Sequence, residues 1–141
     1  MKISARNVFE GTIDTLQPGA VNAEVSIALG NDRLVAVVTM ESVRSLELAA
    51  GKSVLAIVKA PWVLLMSDDS GVRLSARNQL RGTVKLVEAG AVNAEVVLTL
   101  AGGTELTSIV TKEAVAELGL KPGTSAIAVI KASHVILGVP A

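Results

Sequence analysis

The sequence predicts a mainly β protein that folds as two tandem five-stranded barrels, each with a short helix between its third and fourth strands. Three observations support this prediction: one block of sequence occurs twice, apolar residues alternate with polar ones, and the apolar content is almost entirely aliphatic. Of the 141 residues, 50% are hydrophobic and only 1% are aromatic. We therefore expect a core of Val, Leu, Ile and Ala. We also expect oligomerisation to bury the apolar surface that two small domains cannot bury alone.

The internal repeat is the strongest of these observations. The segment Ser4–Asn7 recurs as Ser75–Asn78, and the segment Gly19–Val25 recurs as Gly90–Val96, both displaced by 71 residues. Chance does not produce such collinear repetition, so the chain contains two homologous domains. The predicted domains are residues 1–69 and 70–141, with the boundary in the polar stretch Asp68-Asp69-Ser70-Gly71.

The displacement between the two copies increases by one residue further along the chain. Lys59-Ala60 recurs as Lys131-Ala132, 72 residues later. A hairpin turn absorbs an inserted residue without shifting the register of its strands. We therefore place the insertion in the turn where Gly30–Asp32 of the first copy corresponds to Ala101–Thr104 of the second.

Each copy shows the same order of predicted elements. In the first copy Val25, Ile27 and Leu29 alternate with polar or small residues, which is typical of a half-buried strand. An apolar run then leads to Thr39, a suitable N-cap residue, with Glu41 in the first turn of a short helix. Two further apolar runs complete the copy. Three strands, a helix and two strands form the layout of an OB-like barrel.

Composition narrows the classes of function. Thirteen basic and thirteen acidic side chains give a formal net charge of zero, so no long-range field attracts nucleic acid or an anionic membrane. The chain has no cysteine and one histidine, His134, which argues against thiolate chemistry and sites for a bare metal cation. The apolar runs are too short to span a bilayer, and polar residues interrupt the N-terminal segment. We expect a cytoplasmic protein.

The Ser-Ala-Arg-Asn block lies where the first strand of each copy begins. It offers a hydroxyl, a guanidinium and an amide, all hydrogen-bond donors, beside uncommitted backbone N–H groups. A solvated strand end is the ordinary explanation for one such block. Its verbatim return in the second copy favours an anion-binding role.

The Gly-Ala-Val-Asn-Ala-Glu-Val block lies at the turn into the second strand. Gly19 and Gly90 permit a positive φ at this turn, and the side chains of Asn22 and Asn93 are suited to bonding nearby backbone. Two interpretations stay open at this point. The block is either a hairpin turn that merely needs glycine or a small nest of N–H groups that receives an anion.

A lysine ends the fourth strand of each copy, where its charge and free backbone amides suit an anion. Taken alone, Lys59 or Lys131 would be an ordinary exposed lysine. The copies then differ, because Pro61 in the first lacks the N–H and the hydroxyl that Ser133 supplies in the second. We expect Trp62 to fill space at an interface rather than to contact a ligand.

These three segments, in the same order in both halves, resemble the molbindins, or Mop-domain proteins, in a tandem form. The resemblance covers essentially the whole chain, twice. It implies an OB-like fold, binding of molybdate with tungstate as a substitute, and sites at interfaces between domains. It also implies an assembly of six domains, which is a homotrimer of tandem chains. The expected function is intracellular molybdate binding, storage and homeostasis.

The resemblance also implies which residues contact the oxyanion. In the first copy they are Ser4, Arg6, Asn7, Val21, Asn22, Ala23, Lys59 and Ala60. In the second copy they are Ser75, Arg77, Asn78, Val92, Asn93, Ala94, Lys131, Ala132 and Ser133. Because Pro61 departs from the Lys-Ala-Ser pattern of the family, we expect two unequal classes of site. We predict no catalytic residue.

Three alternative functions were weighed against this one. A nucleic-acid-binding OB module stacks bases on aromatic residues over a basic groove, whereas this chain has only Phe9 and Trp62 and no net charge. An enzyme needs partnered groups, and the recurring Glu24 and Glu95 occur once per domain, as solvated strand residues do. Gly51-Lys52-Ser53 lacks the glycine spacing of a phosphate-binding loop, so it does not indicate an ATPase.

The nearest alternative is a regulatory, molybdate-sensing or ion-delivery module that acts through a partner protein.

Overall fold

The computed structural model describes residues 1–69 and 71–141 and shows two curled five-stranded sheets, so the predicted fold class is confirmed. Ser70, within the predicted domain boundary, lies outside the described residues. The first half contains β1 (Asn7–Pro18), β2 (Asn22–Leu29), β3 (Asp32–Thr39), α1 (Met40–Ser45), β4 (Ser53–Val58) and β5 (Leu64–Ser67). The second half contains β6 (Asn78–Ala89), β7 (Asn93–Leu100), β8 (Glu105–Thr111), α2 (Lys112–Leu118), β9 (Ser125–Ile130) and β10 (Ile136–Gly138). A single 3₁₀ turn precedes the last strand of each half, at Ala60–Trp62 and Ala132–His134.

The two halves exchange their last strands. One sheet has the order β10-β4-β1-β2-β3 and the other has the order β5-β9-β6-β7-β8. Strand β10 therefore completes the sheet of the first half, and β5 completes the sheet of the second, both in antiparallel pairing. The repeat did not predict this exchange, because a repeated sequence is equally compatible with a last strand that folds back on its own half. The division into residues 1–69 and 70–141 stays a prediction about the repeat, while the hydrogen-bonded sheets cross it.

The long first strand of each half pairs with two neighbours because a bulge bends it. In β1 the register with β2 shifts between Ile13 and Thr15, and in β6 the register with β7 shifts between Val84 and Leu86. A bulge adds local twist and turns a strand toward a barrel. The N-terminal part of each bent strand pairs with the fourth strand of the same half.

Both helices start at the predicted N-cap residues. The Thr39 hydroxyl oxygen accepts a hydrogen bond from the Ser42 N–H at 3.0 Å, and the Thr111 hydroxyl oxygen accepts one from the Ala114 N–H at 3.0 Å. Each bond satisfies one of the N–H groups that a helix start leaves free. No helix in the described part of the chain is long and apolar enough to cross a membrane.

The aliphatic core continues across both halves. The predicted alternation holds in β2 and β7, where Val25, Ile27, Val96 and Leu98 are fully buried between less buried neighbours. Buried side chains from both sheets belong to one contiguous cluster. The exchanged strands explain this continuity, because each of them carries side chains of one half into the sheet of the other.

The inserted residue builds a contact between the halves. The turn at Gly30-Asn31 is shorter than its counterpart at Ala101–Thr104, as predicted. The Asp32 carboxylate accepts hydrogen bonds from the Gly102 N–H at 2.7 Å and the Thr104 N–H at 3.0 Å. Burial acts to raise the pKa of Asp32, but the hydrogen bonds from Thr104 and Gly102 outweigh it, and the pKa lies below its ordinary value.

Candidate binding site

The asparagine of each Ser-Ala-Arg-Asn block is buried and bonds to the opposite half. Asn7 Nδ2 donates to the Thr107 carbonyl at 2.8 Å, and Asn7 Oδ1 accepts from the Thr107 N–H at 2.8 Å. Asn78 makes the same two bonds with Val35, both at 2.8 Å. Each side-chain amide thus imitates a neighbouring strand residue. Both amides are therefore already hydrogen-bonded within the protein, and the two residues are 1% and 2% exposed.

The arginine of each block forms an ion pair with a glutamate of the opposite half. Arg6 Nη1 lies 2.9 Å from Glu95 Oε1, and Arg77 Nη2 lies 2.6 Å from Glu24 Oε1. Each glutamate follows the turn segment of its own copy, so the two recurring segments meet across the halves. The sequence analysis did not predict this role for the glutamates, although both recur beside the turn asparagines.

A groove in the second half brings two of the predicted segments together. The segment just before β6 and the 3₁₀ turn before β10 form its walls, and Val37 of β3 in the first half also lines it. No feature of the sequence pointed to Val37. The other lining residues are Ser75, Ala76, Arg77, Lys131, Ala132 and Ser133. Among the predicted contacts of these two segments, only Asn78 does not line the groove.

The groove offers hydrogen-bond donors and positive charge. Ser75 and Ser133 contribute hydroxyls, Arg77 a guanidinium and Lys131 an ammonium group. Within the described residues, no carboxylate lines it. Its volume of about 260 Å³ exceeds that of one small ion, since a water molecule takes up about 30 Å³. A single chain therefore leaves the groove open to solvent beside any ion that it holds.

The turn segment of the first half lies next to this groove. Val37 and Ser133 also line a neighbouring groove that contains Asn22. The corresponding groove on the other side of the molecule contains Asn93, and there Pro61 stands in the place of Ser133. The structure therefore brings the asparagine of each turn close to the 3₁₀ turn of the opposite half. The two sides differ in hydrogen-bond donors, because Ser133 has an N–H and a hydroxyl and Pro61 has neither.

The expectation of a positive φ at Gly19 and Gly90 is wrong. Neither residue is among the glycines with positive φ. Glycine is needed because a Cβ at Gly19 would lie 2.7 Å from the Asn22 carbonyl oxygen, and one at Gly90 would lie 3.1 Å from that of Asn93. The N–H of each glycine donates to the same oxygen, at 2.9 and 2.8 Å. These N–H groups therefore tighten the turn and are not offered to an anion.

Trp62 and His134 join the two 3₁₀ turns. Their ring centroids are 4.8 Å apart, with an angle of 37° between the ring planes. Lys59 Nζ lies 5.4 Å from the centroid of the Trp62 ring, within the range of a cation–π contact. Trp62 thus contacts the residue at the corresponding position of the second copy and is 39% exposed, and its expected role at an interface stays a prediction.

The predicted contact residues divide into two groups by exposure. The buried alanines can offer a ligand only their backbone groups. The buried residues are Asn7, Ala23, Ala60, Asn78, Ala94 and Ala132. The exposed residues are Ser4, Arg6, Val21, Asn22, Lys59, Ser75, Arg77, Val92, Asn93, Lys131 and Ser133.

Comparison with known proteins gives consistent relatives. The family model described as the TOBE domain matches residues 3–65 and again residues 74–137. The molybdenum transport protein ModE of Azotobacter vinelandii is 46% identical over 140 residues, which cover 99% of this chain and 52% of that protein. The molybdenum-pterin-binding protein MopA of Rhodobacter capsulatus is 41% identical over 141 residues, covering 99% of this chain and 53% of its own length. The chain thus spans about half the length of the curated relatives that it matches.

A solved structure among those matched resembles the whole chain. It is the cytoplasmic molybdate-binding protein ModG in a form with molybdate bound, and it is 76% identical in sequence with a TM-score of 0.94. The match covers 99% of this chain and 100% of that one. The similarity therefore includes both halves and their relative arrangement.

Proposed function

The chain belongs to the TOBE-domain family, which it represents twice in tandem, and on that basis we propose that it binds molybdate as an intact oxyanion. The observation that carries the proposal is the groove where Ser75 and Arg77 meet Lys131 and Ser133. The molybdate-bound form of ModG, with 76% identity over nearly the whole chain, supports this choice of ligand.

The chemistry of the groove suits a fully deprotonated anion. Molybdate near neutral pH is a tetrahedral dianion without a proton to donate, so a shell made only of donors satisfies it. Partly protonated phosphate would also need an acceptor, which a donor-only shell lacks. Sulfate has the same charge and shape as molybdate, so we propose that it is excluded by the size of the cavity completed between chains, not by the open groove of one chain. Tungstate would bind as a substitute.

We propose two unequal classes of site. The class in the second half contains Ser133, whose N–H and hydroxyl have no protein partner within the described residues. At the corresponding position Pro61 offers neither donor. The turn segments with Asn22 and Asn93 would contribute further contacts from the opposite half. Asn7 and Asn78 would support the sites by fixing the strands, because their amides are buried and bonded to backbone.

We propose that sites are completed between chains in a homotrimer. Exposed apolar side chains occur at corresponding positions of both halves, as expected of a surface that becomes buried in an assembly. Their exposed fractions are 48% and 39% for Ile3 and Leu74, 72% for both Val21 and Val92, and 61% and 51% for Leu64 and Ile136. A ligand bound only by the assembled form stabilises it by RT ln(1 + [L]/Kd) per site. Molybdate and the trimer would therefore stabilise each other.

The proposed role is cytoplasmic storage and buffering of molybdate. A second candidate is a molybdate-sensing or ion-delivery module that acts through a partner protein. The observation that favours this alternative is the length of the ModE and MopA relatives, of which the chain covers 52% and 53%. A storage protein releases molybdate without a partner, whereas a sensing module changes its affinity for a partner when molybdate binds.

Equilibrium dialysis with molybdate tests the proposal. The bound metal is counted by elemental analysis, excess sulfate and phosphate serve as competitors, and light scattering gives the assembly size. Arg77→Ala removes a groove donor, and Arg81→Ala is the matched control, because Arg81 pairs with Asp68 at 2.7 Å and belongs to no predicted binding segment. We expect saturable binding that survives the competitors and weakens only in the Arg77 variant. A wild-type protein that retains no molybdate would refute the proposal.

A further inference from the structure

Two kinds of ion pair occur at corresponding positions of both halves. In only one kind do the acidic and the basic residue occupy the same positions in each half. Asp14 pairs with Arg33 at 2.7 Å, and the residues at the corresponding positions of the second half, Lys85 and Glu105, pair at 2.5 Å with the charges reversed. The reversal shows that opposite charges occur at those two positions in either order.

The pairs Arg6–Glu95 and Arg77–Glu24 have the same polarity in both halves. Partly exposed ion pairs contribute little to stability, so stability alone does not explain why the arginine stays on the Ser-Ala-Arg-Asn side. An arginine in the Ser-Ala-Arg-Asn segment is needed in both halves if its guanidinium also contacts an anionic ligand. Arg77 lines the donor groove, whereas Glu24 does not.

We infer that Glu24 and Glu95 are positioning residues that hold Arg77 and Arg6 for the oxyanion. The inference rests on the proposed function and deepens it. A guanidinium has five N–H donors in a rigid fork. The contact with Glu24 is made through Nη2 of Arg77, and Arg77 also lines the groove. Glu24 therefore acts on a ligand through Arg77.

The contribution of such a residue is preorganisation. An arginine side chain has many rotamers, and a ligand that must order it binds more weakly than one that meets it already oriented. The Glu24 side chain is suited to this role because only 34% of it is exposed, compared with 55% for Arg77. Glu24 also follows the Asn22-Ala23 turn directly, so the pair ties the turn segment of one half to the groove of the other.

The experiment measures molybdate affinity of the full-length chain by equilibrium dialysis and calorimetry. The variants are Glu24→Ala, Glu24→Gln, Arg77→Ala and the double variant, with Glu105→Ala as the control that removes the same charge from a pair outside the predicted segments. The class of site that contains Arg6 serves as an internal reference in every titration. Light scattering and thermal unfolding establish that each variant keeps its assembly and fold.

Glu24→Ala should weaken the Arg77 class by about two- to fivefold and leave the Arg6 class unchanged. Glu24→Gln keeps an acceptor for the guanidinium, so it should restore wild-type affinity or exceed it, since a negative charge near the dianion is gone. Adding Glu24→Ala to Arg77→Ala should cause no further loss. Glu95→Ala should act in the same way on the Arg6 class.

Three outcomes would overturn the inference while molybdate still binds the wild type. The first is a Glu24→Ala variant that binds molybdate as tightly as the wild type. The second is a Glu24→Ala change that weakens binding by the same factor in the Arg77→Ala variant as in the wild type. The third is a Glu24→Gln variant that binds as weakly as Glu24→Ala. A wild-type protein that binds no molybdate would instead refute the proposed function, so the two failures are distinguishable.

Discussion

The side-chain amide of Asn7 pairs with both backbone groups of Thr107, a residue 100 positions later in the chain. Asn78 pairs with Val35 in the same way in the opposite direction. These two amides, the exchanged strands and the buried Ser108 hydroxyl, which donates to the Val63 carbonyl, connect the halves by hydrogen bonds in a core that is largely aliphatic. The asparagine of the Ser-Ala-Arg-Asn block thus serves the fold, while the neighbouring arginine faces outward.

Removing either buried amide should destabilise the protein. Asn7→Ala leaves the N–H and carbonyl of Thr107 without their partner, and an unsatisfied buried polar group costs about 1 to 3 kcal/mol. We expect a similar loss for Asn78→Ala. Thermal and denaturant unfolding at fixed protein concentration measure it, with the exposed turn residue Asn31 as the matched Asn→Ala control. Equal stability of the Asn7 and Asn31 variants would show that the amide bonds contribute nothing.

The strand exchange predicts the behaviour of an isolated half. Residues 1–69 contain β5, whose partner β9 lies in the other half, and β4 loses β10 as a neighbour. Two copies of the fragment can exchange β5 with each other and restore both pairings. We therefore expect a dimer or higher assembly of the fragment, measured by light scattering over a range of concentrations. A folded monomer would show that β5 folds back onto its own half.

The Asp32 carboxylate should make stability depend on pH at the acidic end. Its pKa is lowered in the folded state, so its contribution is fully present above the ordinary value of about 3.9 and is lost as the pH falls through the folded value. Asp32→Asn should cost about 1 kcal/mol near neutral pH, and the difference from the wild type should disappear on acidification. Unfolding curves from neutral pH to about two pH units below that ordinary value measure it, with Asp69→Asn as the control. A difference that persists at the acidic end would contradict the assignment.

Exchanging Pro61 and Ser133 should exchange the properties of the two site classes. Pro61 and Ser133 are the middle residues of corresponding 3₁₀ turns, and the N-cap lysines two positions earlier have nearly the same backbone, with φ and ψ of −68° and 133° at Lys59 and of −65° and 132° at Lys131. Ser133→Pro should therefore fit the turn while removing two donors, which lowers the affinity of that class by about tenfold. Pro61→Ser should raise the affinity of the other class. Molybdate titration measures both, and a single class in the wild type would contradict the premise.

Much of the fold follows from local sequence patterns. The alternation of Val25, Ile27 and Leu29 predicts a half-buried strand, and Thr39 and Thr111 predict the two helix starts, since strand pleat and helix capping depend on near neighbours. The candidate site was predicted in part. The segments and their donors were evident, but the pairing of Arg77 with Glu24 was not, because the two residues come from different halves.

The sequence by itself determined the repeat, the strand and helix pattern, the position of the inserted residue and the family. Only the tertiary structure decided which half each last strand completes, which carbonyl requires the glycine at Gly19, and which residues meet across the halves. The physical reason is that side-chain periodicity reports which face of an element is buried but not which copy of an equivalent surface buries it. Because β5 and β10 occupy equivalent positions of the repeat, the sequence pattern does not distinguish the two sheets, and the structure pairs each strand with the sheet of the other half.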